Sequence, residues 1–111
     1  MFDVLIIGGG VSGVSCAMIL GSAQNKPFVQ GKKIGIITHQ KTSSLNDAIF
    51  YNAYGIPSGK LGSELLTETI AQLRTTYPHI IQIPSEKVVK ILTTTTGFEV
   101  VTNKNTYVTK L

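Results

Sequence analysis

The 111-residue chain can form one domain with a sizeable core, and its 42% hydrophobic and 14% charged residues describe an ordered globular protein. The formal charge of +4 is spread along the sequence, with only Lys26, Lys32, Lys33 and Lys41 lying near one another, and no RRM, zinc or helix-turn-helix pattern accompanies it, which argues against a nucleic-acid partner. The single cysteine, Cys16, excludes an internal disulfide and any CxxC pair and fits a reducing, cytoplasmic compartment.

In chain order, Phe2–Ile7 is short, almost wholly apolar and rich in Val, Leu and Ile, the composition of a strand buried on both faces of a parallel sheet. Gly8-Gly9-Gly10-Val11-Ser12-Gly13 follows. Val14, Ala17, Met18 and Gly21 then recur at helical spacing and predict a helix over Val11–Ser22, whose small residues let it lie close to the strand. The uncharged run Val4–Asn25 could pass for a targeting segment. Asp3 and no Lys or Arg precede it, however, and Gly8, Gly9, Gly10 and Gly13 interrupt it where an apolar helix should be continuous. Neither a signal peptide nor a membrane span is expected. After a polar connection over Asn25–Gly31, Lys32–Thr38 predicts a second buried strand and closes a strand–turn–helix–strand unit.

His39–Gly62 is a long connection containing Gly55, Pro57 and Gly59, and a loop of that length in a compact domain is usually functional. Leu66, Ile70, Leu73 and Tyr77 mark one face of a helix over residues 61–76. It would start near Gly62 or Ser63, be favoured at its positive end by Glu64 and stop at Tyr77-Pro78. His79–Ile83 predicts a third strand. From Glu86 the pattern changes to KVVKILT, GFEVVT and TYVTKL, separated by Thr95-Thr96-Gly97 and Asn103-Lys104-Asn105, with Phe98, Val100 and Thr102 on one face. The predicted fold class is α/β, a Rossmann-like βαβ parallel sheet with an antiparallel three-stranded β-meander.

The glycines sit in the context that a dinucleotide-binding turn requires, after a strand and opening a helix. Gly8 permits the tight turn, Gly10 lets backbone approach a pyrophosphate, and Gly13 lets helix and strand pack closely. The N–H groups at the helix start, from Val11 and Ser12 onward, would hold the diphosphate with the aid of the helix dipole. The turn alone does not choose between FAD and NAD(P). Two rival motifs fail on spacing. In Gly55–Ser63 only three residues separate Gly55 from Gly59-Lys60, and Leu61 stands where a P-loop needs Ser or Thr. The G-x-x-x-G-x-G turn of short-chain dehydrogenases does not fit Gly8–Gly13 either.

FDVLIIGGGVSGVSCAMIL, then NAYGIPSGKLGSELL before an amphipathic helix, then the meander, together resemble the N-terminal FAD-binding domain of thioredoxin-reductase-like flavoproteins, of the pyridine nucleotide–disulfide oxidoreductase type. The resemblance covers nearly the whole chain. It implies that Gly8, Gly10 and Gly13 contact the FAD diphosphate, that Asn52 lies near the flavin, and that NAD(P)H is the electron donor of the full-length protein. Ala53 and Tyr54 depart from that family's Asn-aromatic-Pro-Gly segment. The acid that would bind the adenosine ribose is replaced by Thr38, followed by His39 and Gln40, all neutral hydrogen-bonding groups without a carboxylate's charge. Thr38→Glu is therefore expected, from sequence, to tighten FAD binding. No CxxC is present, so thioredoxin reduction is not supported, and Cys16 is expected to be a small core residue.

By the same resemblance, residues 1–111 are expected to be one FAD/NAD(P)-binding domain, incomplete at its C-terminus, because the family continues into a further strand and an NADPH domain. That further strand would occupy the second edge of the first strand. With the sequence ending at Leu111, an unpaired edge and self-association through it are expected.

Overall fold

A computed structural model describes residues 1–39 and 44–111. Three parallel strands form the centre: β1 (Val4–Ile7), β2 (Ile34–Thr38) and β5 (Ile81–Pro84), in the order β1-β2-β5. Helices α1 (Val11–Ser22) and α2 (Gly62–Thr76) cover one face, and an antiparallel meander of β6 (Val88–Thr94), β7 (Gly97–Thr102) and β8 (Thr106–Thr109) covers the other. The α/β class, the parallel sheet and the meander are therefore as expected.

Side-chain alternation explains why β2 is apolar throughout. Ile34 and Ile36 join Val14, Ala17, Leu66, Ile70 and Leu73 in a core under the helices. Ile37 joins Phe2, Leu5, Ile83 and Val100 in a second core against the meander. All five residues of β2 are buried, because each face of the strand has its own layer to fill. In α1, Val14, Ala17 and Gly21 turn inward, which leaves Cys16 on the opposite side and exposed. The expectation of a core cysteine is thus corrected by the helical period. In α2, Leu66, Ile70 and Leu73 are buried, Glu64 lies in the first turn and Arg74 in the last, each suited to the helix dipole. None of the described helices is long and apolar enough to cross a membrane.

The long connection is not structureless. Ser44–Asp47 form a 3-10 turn, and β3 (Ile49–Phe50) pairs antiparallel with β4 (Lys60–Leu61), so that the segment between them is a projecting loop. Strands this short carry no legible alternation, which is why the sequence did not reveal them.

The second edge of β1 is only partly bare, which corrects the expectation of an unpaired edge. Phe2 N–H donates to the Val108 carbonyl at 2.9 Å, Lys110 N–H to Phe2 at 3.0 Å, and Leu5 N–H to Leu111 at 2.9 Å. Val108–Leu111 thus run beside the start of β1 and join the meander to the central sheet. Beyond them Ile7 borders an apolar groove shared with Leu5, Ile91, Phe98, Val100 and Leu111.

Candidate functional site

The parallel strands β1 and β2 deliver their carboxyl ends to one side of the sheet, where the chain turns sharply into α1. Gly8 adopts φ +107°, a conformation that residues with a side chain rarely reach. A Cβ on Gly13 would lie 1.8 Å from the Gly8 carbonyl oxygen, and one on Gly9 would lie 2.7 Å from Thr38 Cγ2. The turn is therefore closed onto the first turn of α1 and onto the end of β2, with backbone where side chains would otherwise stand. Gly10 caps the helix at φ −81° and supplies no side-chain hydrogen bond, and no acidic residue lies in the first turn. Val14 N–H bonds back to the Gly10 carbonyl, so the preceding N–H groups of Val11, Ser12 and Gly13 lack an acceptor within the helix.

Two clefts flank this turn and share Ile7, Gly8, Gly10 and Ser44. One, of about 430 Å³, is lined also by Val11, Ser12, Gly13, Leu45 and Ala48. The other, of about 410 Å³, runs toward the meander and is lined by Gly9, Ile37, His39, Glu86, Lys87 and Val88 as well. Both fall within the range of small-molecule sites and lie outside the carboxyl ends of parallel strands, where open α/β sheets take their ligands.

The structure brings Gly8, Gly10, Val11, Ser12, Gly13 and His39 together in these clefts. Thr38 is placed elsewhere. It is 3% exposed, and its side chain packs behind Gly9 on the helix side of the sheet, while His39, one residue on, lines the cleft. Asn52 is exposed in the loop between β3 and β4 and does not line either cleft. Gln40 lies outside the described residues.

Glu86, Lys87 and Val88 were not predicted as site residues. Glu86 is 7% exposed and accepts hydrogen bonds from Thr102 Oγ1 at 2.6 Å, Asn105 Nδ2 at 3.3 Å and Tyr107 Oη at 2.8 Å. The Thr102 bond first, then those from Tyr107 and Asn105, hold its carboxyl below the ordinary 4.5 despite burial. Burial, reinforced by the Glu86 hydrogen bond, pushes the Tyr107 hydroxyl above 10.0. An acid 16 to 21 residues before its partners in the sequence gives no local sign of this cluster.

A pH dependence follows. Glu86 has its folded pKa depressed, so its contribution to stability is present above the unfolded value near 4.5 and is lost as pH falls through the lower folded value. Tyr107, whose folded pKa is raised, contributes below 10.0 and loses that contribution as pH rises through the higher folded value. Urea unfolding should show stability falling at both extremes, and Glu86→Gln should flatten the acid limb. An acid limb unchanged in that variant would assign it to other carboxylates.

No family model and no curated protein matches the chain. Solved structures do. A thioredoxin reductase from Lactococcus lactis superposes with a TM-score of 0.79 over 99% of this chain at 20% identity. The chain has the thioredoxin reductase fold. A thioredoxin reductase from T. acidophilum gives a TM-score of 0.74 over 98% of the chain at 25% identity, and an oxidoreductase from Agrobacterium tumefaciens 0.71 over 94% at 27%. The chain spans about a third of the length of these proteins, 33%, 33% and 32% respectively. In this thioredoxin-reductase-like fold the glycine turn, α1 and the meander are a single connected framework, and the clefts are the gaps that the framework leaves at the strand ends.

Proposed function

We propose that residues 1–111 form the FAD-binding domain of an NAD(P)H-dependent flavoprotein oxidoreductase. The observation that carries the assignment is the Gly8–Gly13 turn. Gly9 and Gly13 let it close tightly onto Thr38 and onto its own Gly8 carbonyl, and the uncapped N–H groups of Val11, Ser12 and Gly13 border a cleft able to accept an anion. A diphosphate fits that chemistry, and the adenosine end would extend toward His39, Lys87 and Val88. FAD, when bound, would supply the redox chemistry, while these residues would bind and orient it.

Gly10→Val tests the assignment without straining the backbone, because φ −81° suits any residue. The branched side chain would enter the space between backbone and diphosphate. The visible spectrum of the purified variant should show flavin lost, with the fold retained by circular dichroism. Flavin retained at wild-type stoichiometry would sink the diphosphate site.

The placement of Asn52 outside the cleft lining supports a second reading, an NAD(P)-binding module, since the turn's N–H groups accept any dinucleotide diphosphate. A non-enzymatic dinucleotide-binding protein is the third. Flavin absorbance separates FAD from nicotinamide, and steady-state NAD(P)H oxidation separates an enzyme from a binder.

The groove beside Ile7 also supports self-association of the 111-residue chain. Ile7, Ile91 and Leu111 are exposed there, and the N–H of Ile7 points to the same edge as that of Leu5. Sedimentation should show concentration-dependent dimers that Ile7→Lys abolishes. A stable monomer at all concentrations would rule this out.

A further inference from the structure

The corner between β5 and β6 is held in an unusual way. Ser85 adopts φ +60°, the one positive-φ residue other than glycine among the described residues. A strained, non-glycine backbone persists only where its surroundings over-determine it. Here they do. Glu86 N–H donates to the Thr38 carbonyl at 3.3 Å, which ties the corner to the end of β2. The Glu86 carboxylate accepts from Thr102, Asn105 and Tyr107, which ties it to β7, β8 and the turn between them. Lys87 N–H donates to Asn103 Oδ1 at 3.0 Å, and Asn103 N–H donates to the Lys87 carbonyl at 2.9 Å.

We infer that Glu86 is a positioning residue for the nucleotide cleft, fixing the Lys87–Val88 wall opposite the Gly8–Gly10 turn by anchoring it to the β7–β8 turn. Both of its oxygens are already engaged by the meander, so it acts through the wall and not by touching the ligand. Burying a carboxylate is costly, and a purely structural corner could be held by apolar packing at lower cost. What the carboxylate adds is directional: three donors from two strands and their turn converge on it and set the position of the next two residues. The meander thereby sets the width of the cleft. This inference rests on the dinucleotide reading.

The test measures FAD affinity by fluorescence titration alongside thermal unfolding and amide hydrogen exchange, on the full chain. Glu86→Ala should weaken FAD binding about tenfold and speed exchange at Lys87 and Val88, and Tyr107→Phe, which removes one donor, should weaken it about threefold. Val100→Ala opens a cavity in the same meander core without touching the corner, and should lower the melting temperature while leaving affinity within about twofold. Affinity that falls in step with stability in both Glu86→Ala and Val100→Ala would reduce Glu86 to a structural role and overturn the inference, as would wild-type affinity in Glu86→Ala. Should Glu86→Ala not fold, Tyr107→Phe decides alone, and unchanged affinity overturns it. Those outcomes leave the dinucleotide reading standing. A wild-type chain that binds neither FAD nor ADP overturns both.

Discussion

Replacing Gly13 with alanine is expected to destabilise the protein, although the same change in an ordinary helix would stabilise it. Alanine in place of glycine within a helix gains about 1 kcal/mol from propensity. At this position the new Cβ would lie 1.8 Å from the Gly8 carbonyl oxygen, a backbone atom that cannot swing aside. Overpacking of this kind costs about 3 kcal/mol when no flexible side chain can yield, so the net loss should be about 2 kcal/mol. The Gly8 turn must open to relieve the contact, and nucleotide affinity should fall with stability. Urea unfolding of Gly13→Ala beside Gly10→Ala checks both points. Gly10 has a permissive conformation, and its alanine variant should lose only about 0.5–1 kcal/mol, as expected for alanine in place of glycine at an N-cap and less than Gly13→Ala. A Gly13→Ala variant as stable as wild type would mean that α1 does not lie against the turn in this way.

Thr38→Glu carries the second large effect, and its sign reverses between sequence and structure. As a ribose-binding position, Thr38 would gain affinity from a carboxylate. As the structure places it, the residue is 3% exposed and faces Gly9 from beneath. A glutamate there would bury a charge without a partner, at a cost of about 4 kcal/mol near neutral pH. Its folded pKa would lie above the unfolded value, so the variant regains stability below about pH 4.3 and loses it as pH rises through the folded pKa. Unfolding followed between acid and neutral pH should show the gap to wild type widening with pH. A variant of wild-type stability that binds FAD more tightly would restore Thr38 to the ribose position. His39→Glu is the matching substitution on the cleft side, and at that lining position the added carboxylate is partly solvated.

The glycine turn was readable because its chemistry is local. A strand, a turn and a helix within residues 2–22 need only their own sequence to declare Gly8 and Gly13, and the helix bounds Val11–Ser22 follow from the spacing of Val14, Ala17 and Gly21. The meander was readable for the same reason, since hairpin turns and alternation are properties of neighbours in sequence. Two apolar runs flanking a helix also determined the parallel pairing of β1 with β2, because only burial on both faces explains Ile34–Thr38.

Tertiary structure alone decided which residues face the clefts. Strand alternation puts successive side chains on opposite faces, so although the end of β2 at Thr38 was legible, only the packed sheet shows Thr38 buried and His39 lining the cleft. Helical period likewise turned Cys16 outward. Glu86 stayed hidden because its partners Thr102, Asn105 and Tyr107 come from β7, β8 and their turn, more than a dozen residues away. The partial cover of β1 by Val108–Leu111 joins the two ends of the chain and has no local signature at all. The sequence determined the elements and the turn that could meet a diphosphate. The packing of three layers decided which side chains stand beside it, because a long-range contact is set by where two surfaces come together and not by the residues next to each in the chain.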